Sequence, residues 1–200
     1  MSKQLPSSAQ VVIVGGGVIG CSIAYHLTKL GITDVVLLER KALTCGTTWH
    51  AAGLVPTLRA SYNMSMLANY SASLYAQLEA ETGQATGFVR NGSLTVATNK
   101  ERLAELKRGA SMAKVAGFPC DVISPDAAKE MWPLLNIDDV IGAIHLPMDG
   151  MVNPVDLTQA LAKGARMGGA KIVENTKALA IKKHDGIVSG VVTDNGDSDV

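Results

Sequence analysis

The sequence predicts an α/β fold that opens with a strand, a glycine turn, a helix and a second strand, and that carries a separate α+β segment behind it. Three observations support this. A β-branched run, Val11-Val12-Ile13-Val14, leads directly into Gly15-Gly16-Gly17. Ile19, Ile23, Leu27 and Leu30 then recur at helical spacing, and Gly31 supplies a C-terminal stop. Asp34-Val35-Val36-Leu37-Leu38-Glu39 follows as an apolar run of the kind that parallel sheets bury on both faces.

Taken in order, the first element needs the most care. No Asp, Glu, Lys or Arg occurs between Gln4 and Thr28, and Lys3 precedes the run, so hydropathy alone would read an export signal or a membrane span. Three glycines in its middle would weaken a helix by about 1 kcal/mol each. The spacing therefore predicts strand, turn and helix instead. Residues 41–60 hold neither helical nor strand period, yet Thr44-Cys45-Gly46-Thr47-Thr48-Trp49-His50-Ala51-Ala52-Gly53-Leu54 is too apolar for an ordinary surface loop. A buried or ligand-covered segment is expected there.

A helix over 63–82 follows, with Leu67, Tyr70, Leu74 and Leu78 on one stripe and Met64 and Met66 read as packing. Phe88-Val89-Arg90 and Ser93-Leu94-Thr95-Val96 flank Asn91-Gly92, which predicts a β-hairpin. A helix over 100–116, a short strand at 121–123, a helix opened by Ser124-Pro125-Asp126 and a strand over 140–146 come next. Residues 61–149 thus read as an α+β insertion between 1–60 and 150–200. After Asn153-Pro154 the α/β pattern returns: a helix over 155–167 ended by Gly168-Gly169, then strands at Lys171-Ile172-Val173-Glu174, 178–182 and 187–193. The turn Asp194-Asn195-Gly196 is read as lacking its second arm, so a fragment of a longer chain, incomplete at its C-terminal side, is expected.

Composition narrows the function. The 200 residues are 47% hydrophobic and 18% charged, which excludes a disordered chain. Eighteen Lys and Arg balance eighteen Asp and Glu, so no basic field exists to draw nucleic acid or an anionic membrane. Aromatics, at 4%, are too few for base-stacking surfaces. Cys21, Cys45 and Cys120 are scattered, with no metal-site spacing, and fit a reducing, cytoplasmic setting rather than a disulfide framework.

The chemistry concentrates near the N-terminus. Gly15-Gly16-Gly17-Val18-Ile19-Gly20 matches G-x-G-x-x-G between a strand and a helix. Gly15 permits the tight turn, Gly17 lets backbone approach a pyrophosphate, and Gly20 lets helix pack on strand. Amides at the start of the helix then hold phosphates. Glu39, followed by Arg40, stands 19 residues after Gly20 at the end of the second strand, where a carboxylate accepts ribose hydroxyl hydrogen bonds. These features leave NAD and FAD both open. The small-residue segment 46–54 favours FAD, because it can run beneath a flavin ring with its backbone close.

Trp49-His50-Ala51-Ala52-Gly53 together with the glycine motif resembles the dimethylglycine and sarcosine dehydrogenase family, within the D-amino-acid-oxidase-like flavoproteins. The resemblance continues through Glu79-Ala80-Glu81-Thr82-Gly83-Gln84, Met131-Trp132-Pro133-Leu134-Leu135, Asp149-Gly150-Met151-Val152-Asn153-Pro154 and residues 156–166. It implies a Rossmann-like FAD-binding domain in 1–60 and 150–200, with 61–149 forming part of a substrate domain. It further implies covalent attachment of FAD through the imidazole of His50 to the flavin 8α carbon. Gly46, Thr47, Thr48, Trp49, Ala51, Ala52, Gly53 and Leu54 are implied to line the flavin, and the backbone of Ala178 to meet the adenine.

The implied activity is oxidative demethylation of an N-methylated glycine by hydride transfer. Tetrahydrofolate and an electron-transfer flavoprotein are possible partners of the full-length protein. Arg59 and Tyr62 are candidate contacts for a substrate carboxylate, since arginine offers a two-pronged donor fork. His26, His145 and His184 are read as structural or solvated. Three alternatives stay open: another amine or amino-acid oxidase of the group, an NAD-dependent dehydrogenase, and a non-catalytic regulatory subunit that keeps the flavoprotein fold. The isolated 200-residue chain is expected to be marginally stable and inactive.

Overall fold

The computed structural model describes residues 5–199, with side chains through residue 196. Residues 1–4 and 200 of the expected cofactor domain lie outside that range. In chain order the elements are β1 (Val11–Val14), α1 (Val18–Lys29), β2 (Val35–Leu38), a 3-10 turn (Thr48–His50), β3 (Leu54–Val55), α2 (Tyr62–Thr82), β4 (Ser93–Ala97) and α3 (Lys100–Val115). They continue with β5 (Asp121–Ile123), α4 (Pro125–Met131), β6 (Gly142–Leu146), β7 (Gly150–Met151), α5 (Pro154–Met167), β8 (Lys171–Val173), β9 (Ala178–His184), β10 (Ile187–Thr193) and β11 (Gly196–Asp199). None of the described helices is long and apolar enough to cross a membrane.

The chain divides into two compact units. The first comprises residues through Gly53, then Gln77–Gly87, then the chain from Asn153 onward, and the second comprises Leu54–Ala76 and Phe88–Val152. These boundaries differ from the expected 60/61 and 149/150. Leu54 and Val55 pair with Met151 and Gly150, which draws the end of the loop into the second unit. Conversely, Glu81 near the end of α2 accepts from the Tyr25 hydroxyl at 2.8 Å and pairs with Lys29 at 2.5 Å, within the first unit.

The first unit is built on a parallel sheet ordered β1-β2-β8. Its strands alternate in the way a doubly covered sheet requires. Val36, Leu38 and Val173 join Val191 of β10 and Ala9 in one apolar cluster, so the β9-β10-β11 meander covers that face. Ile13, Leu37 and Ile172, the alternate residues, are buried toward the face where α1 and α5 lie. Those helices approach closely because Gly164 of α5 presents only backbone to the Tyr25 ring. Asn153 caps α5 by accepting from Val155 and Asp156 amides, with Pro154 in the first turn. The second hairpin arm, expected to be missing, is present as β11, paired antiparallel with β10.

The second unit centres on an antiparallel sheet ordered β4-β6-β5. Leu106 and Ala110 of α3 pack with Ala97, Ile144 and Leu146 on one face. The expected Phe88–Ser93 hairpin does not form: β4 pairs with β6, and Val89 bridges Met151 instead. A local turn signal was outcompeted by a longer-range partner with more apolar surface to bury. On α2 the expected stripe is also displaced. Ser65, Ala72 and Leu78 are buried, whereas Met64, Met66, Leu67 and Tyr70 are exposed.

Asp149, only 3% exposed, ties the second unit together. It accepts from the Thr57 amide at 2.7 Å, the Thr57 hydroxyl at 2.5 Å and the Ser93 hydroxyl at 2.6 Å. A buried carboxylate is tolerable only when its lone pairs are met in this way. Asp149→Ala is therefore expected to lower stability by about 1.5–3 kcal/mol, read as a reduced midpoint in urea denaturation.

Candidate functional site

The first unit holds the site because β1 and β2 end side by side. Val14 pairs with Leu38, and the Gly15 amide donates to the Leu38 carbonyl at 2.8 Å. The chain must then turn sharply, and Gly15 does so at φ +113°, a conformation side chains rarely allow. At Gly20 a Cβ would fall 1.9 Å from the Gly15 carbonyl oxygen, so the first turn of α1 can sit on the loop only with glycine there.

Glu39 faces this turn. Its Oε2 accepts from the Gly16 amide at 2.7 Å, and its Oε1 accepts from the Lys41 amide at 2.9 Å and the Cys45 thiol at 3.6 Å. Burial pushes its carboxyl up, but these hydrogen bonds, with the nearby Arg40 charge, overcompensate and hold it below the ordinary value of 4.5. The loop behind it is fastened too: the Thr44 amide donates to the Gly16 carbonyl at 3.0 Å, and the Leu43 amide to Glu174 at 2.7 Å.

This arrangement suits an adenine dinucleotide. A Cβ at Gly15 would meet nothing within 4 Å, so the turn is open to an approaching phosphate. Gly17, the N-cap of α1, has no side chain to place on the helix terminus, and the first turn has no acidic residue. The positive end of the helix is thus left for an external anion. A carboxylate offers about four lone-pair positions, and Glu39 uses three, which leaves one for a ribose hydroxyl.

The segment after β2 continues along the same unit. Thr48 is buried and its Oγ1 accepts from the Val18 amide at 3.0 Å, which anchors the 3-10 turn to the start of α1. That amide is therefore already engaged, unlike the simple expectation that every α1 N-terminal amide faces phosphate. Gly46, Thr47, Trp49, His50, Ala51 and Ala52 are exposed while Gly53 is buried, so the segment is not packed under other parts of the chain. The Trp49 and His50 rings stack with centroids 3.8 Å apart and a 34° tilt.

The other expected site residues are distributed as follows. Val18 and Ile19 open α1, Ile19 being largely exposed, and Arg40 is exposed beside Glu39. Ala178 begins β9, packed against the cluster below the sheet. Leu54 begins β3 and, with Arg59 and Tyr62, belongs to the second unit. Within that unit Arg59 lines a cavity of about 770 Å³ whose walls include Leu58, Leu106, Met112 and Ile144. The Arg59 amide donates to buried Ser65, whereas Tyr62 sits outside the cavity at the first position of α2.

Sequence reasoning missed four participants. Gly16 occupies a free position of the glycine motif, yet its amide holds Glu39. Cys45 donates to the same carboxylate. Glu174 and Asp149 act across separations of 131 and 92 residues, for which no local sequence signal exists. Of the remaining histidines, His26 bonds the Ser22 carbonyl within α1 and His184 lies exposed beside Asp185.

Strand, open glycine turn, helix and acidic second strand, accompanied by an α+β unit, define a dinucleotide-binding fold of the flavoprotein type. The FAD dependent oxidoreductase (DAO) family matches residues 10–200, and the chain belongs to it. It is 46% identical over 195 residues to the mitochondrial pyruvate dehydrogenase phosphatase regulatory subunit of Mus musculus, covering 98% of this chain and 22% of that protein. It is 44% identical over 182 residues to the mitochondrial sarcosine dehydrogenase of Homo sapiens, covering 90% of this chain and 20% of that protein. The L-proline dehydrogenase structure from P. horikoshii superposes with a TM-score of 0.92 at 29% identity, covering 98% of this chain and 51% of that one. The chain therefore spans about a fifth of the curated relatives it matches and about half of the solved structure.

Two outcomes follow from this geometry. Because Glu39 titrates below its ordinary value of 4.5 when folded, its contribution to stability is complete above that pH and is lost as pH falls through the lowered value. Glu39→Gln is expected to flatten the acid limb of a stability-versus-pH curve and to weaken adenine-dinucleotide binding by about 1.5–3 kcal/mol. Iodoacetamide at pH 8 is expected to label exposed Cys45 and spare Cys21, whose thiol burial pushes up to about 12; peptide mass mapping reads both.

Proposed function

We propose that the full-length protein is an FAD-dependent oxidoreductase that demethylates a small N-methylated amino acid, dimethylglycine or sarcosine. In this reading the present chain supplies the adenosine and pyrophosphate side of the cofactor site and the attachment histidine. The observation that carries it is the Gly16–Glu39 hydrogen bond at an open glycine turn, with His50 displayed from a turn anchored to the same helix.

FAD bound there supplies the two-electron acceptor for a hydride leaving the N-methyl carbon. Glu39 accepts a ribose hydroxyl with its remaining lone pair, and the pyrophosphate lies against the open backbone at Gly15, received by the Gly17 amide and the helix dipole of α1. Residues 46–54 run along the ring system, the Ala178 backbone meets the adenine, and the His50 imidazole is the covalent anchor. Such a bond prevents cofactor loss. Arg59 receives the substrate carboxylate on its guanidinium fork, in a cavity lined by Leu58, Leu106, Met112 and Ile144 together with Arg102, Glu105 and Arg108. The substrate amine must be neutral before hydride leaves, because a positive nitrogen cannot donate its lone pair to the forming iminium. Apolar walls favour that neutral amine by desolvation. The iminium is then hydrolysed, or its carbon is passed to tetrahydrofolate, while an electron-transfer flavoprotein or dioxygen takes the electrons.

A regulatory reading is favoured by one observation, the 46% identity to a phosphatase regulatory subunit. In it the fold keeps its cofactor site without turnover. The full-length protein, denatured in acid, is expected to retain flavin fluorescence on the polypeptide, and His50→Ala to release it. Turnover of sarcosine or dimethylglycine then separates enzyme from regulatory subunit, and a protein without flavin would overturn the flavoenzyme reading in favour of the regulatory one or of a nicotinamide-dependent enzyme. The 200-residue chain by itself is expected to show no turnover.

A further inference from the structure

His50 is displayed with little to orient it. Its amide closes the 3-10 turn on the Thr47 carbonyl at 3.1 Å, but among the described residues neither ring nitrogen takes part in a hydrogen bond. An exposed side chain of this kind samples several rotamers. The contact that limits it is the Trp49 ring, stacked at 3.8 Å between centroids. The rings meet at a 34° tilt, an arrangement that sequence adjacency alone does not set but their side-chain rotamers do. Nor is Trp49 a core residue, because it is 57% exposed. The backbone that carries both rings is held separately, through Thr48 and the Val18 amide.

We infer that Trp49 is the positioning residue for flavin attachment: its indole holds the His50 imidazole in the orientation from which a ring nitrogen reaches the flavin 8α carbon. The inference rests on the proposed role of His50 as the attachment site. In the step it assists, a C–N bond forms between the imidazole nitrogen and the 8α carbon. One C–H bond of the methyl group and the N–H bond of the imidazole break. The two electrons and two protons released pass to dioxygen, giving hydrogen peroxide, so the flavin ends oxidised and tethered. Indole covers one imidazole face and leaves the ring edge, where the nitrogens lie, free to react. Holding a nucleophile in a reactive orientation accelerates a step without altering how tightly its partner binds.

The test uses the full-length protein produced under riboflavin starvation and then supplied with FAD in air. Non-covalent binding is measured by flavin fluorescence quenching. Covalent incorporation is followed as acid-precipitable flavin over time in wild type, Trp49→Ala, Trp49→Phe and His50→Ala. The expected result is that, at FAD concentrations that saturate each variant, Trp49→Ala attaches it about tenfold or more slowly than wild type, with Trp49→Phe restoring most of the rate and His50→Ala attaching none. Attachment by Trp49→Ala at the wild-type rate would overturn the inference. So would attachment by Trp49→Phe at saturating FAD as slow as by Trp49→Ala, which would leave the ring stacked on His50 without a positioning role. A wild type that binds FAD but never attaches it would overturn the role of His50 itself, a failure visible without any Trp49 variant.

Discussion

The Glu39 carboxylate governs the first unit. It is anionic, 8% exposed and placed where β1 and β2 end together, so it must find donors. The Gly16 amide supplies one, which fastens the glycine turn to the second strand, and the Lys41 amide and Cys45 thiol supply the others, which shape the following loop. Turn, loop and carboxylate thus stabilise one another. The open surface at Gly15 and the lone pair left on Glu39 are what this mutual satisfaction leaves for a nucleotide.

The same economy of donors shapes the segment that follows. Thr48 uses an amide at the head of α1 as its anchor and so fixes Trp49 and His50 on the unit that carries the glycine turn. The anchor is buried while the two rings are exposed, so the residue that holds the segment is distinct from the residues it displays.

The second unit solves an analogous problem with Asp149. Three donors, two of them from Thr57, fasten the stretch between β3 and α2 to the turn before β7. Arg59 follows that fastened stretch directly, and buried Ser65 both accepts from its amide and donates to its carbonyl. The backbone of Arg59 is thus fixed at the wall of the cavity. Of the three free cysteines only Cys45 takes part in either network, its thiol being the third donor to Glu39.

Much of this was written locally in the sequence. Val11–Val14, the glycines and the helical spacing of Ile19, Ile23 and Leu27 specify strand, turn and helix through short-range preferences, and the position of Glu39 after the second strand followed from the length of that unit. Capping at Ser124 and Asn153 was legible for the same reason, because the capping residue and the amides it satisfies are neighbours in sequence. Where partners are distant, local signals did not suffice. The Asn91-Gly92 turn promised a hairpin, but β4 found β6 nearly fifty residues later because that pairing buries Ile144 and Leu146 under α3. The buried face of α2, the donors gathered by Asp149 and Glu174, and the meeting of the Trp49 and His50 rings were decided only by tertiary structure. Each depends on which surfaces and polar groups are brought together in space, a property that no window of neighbouring residues contains.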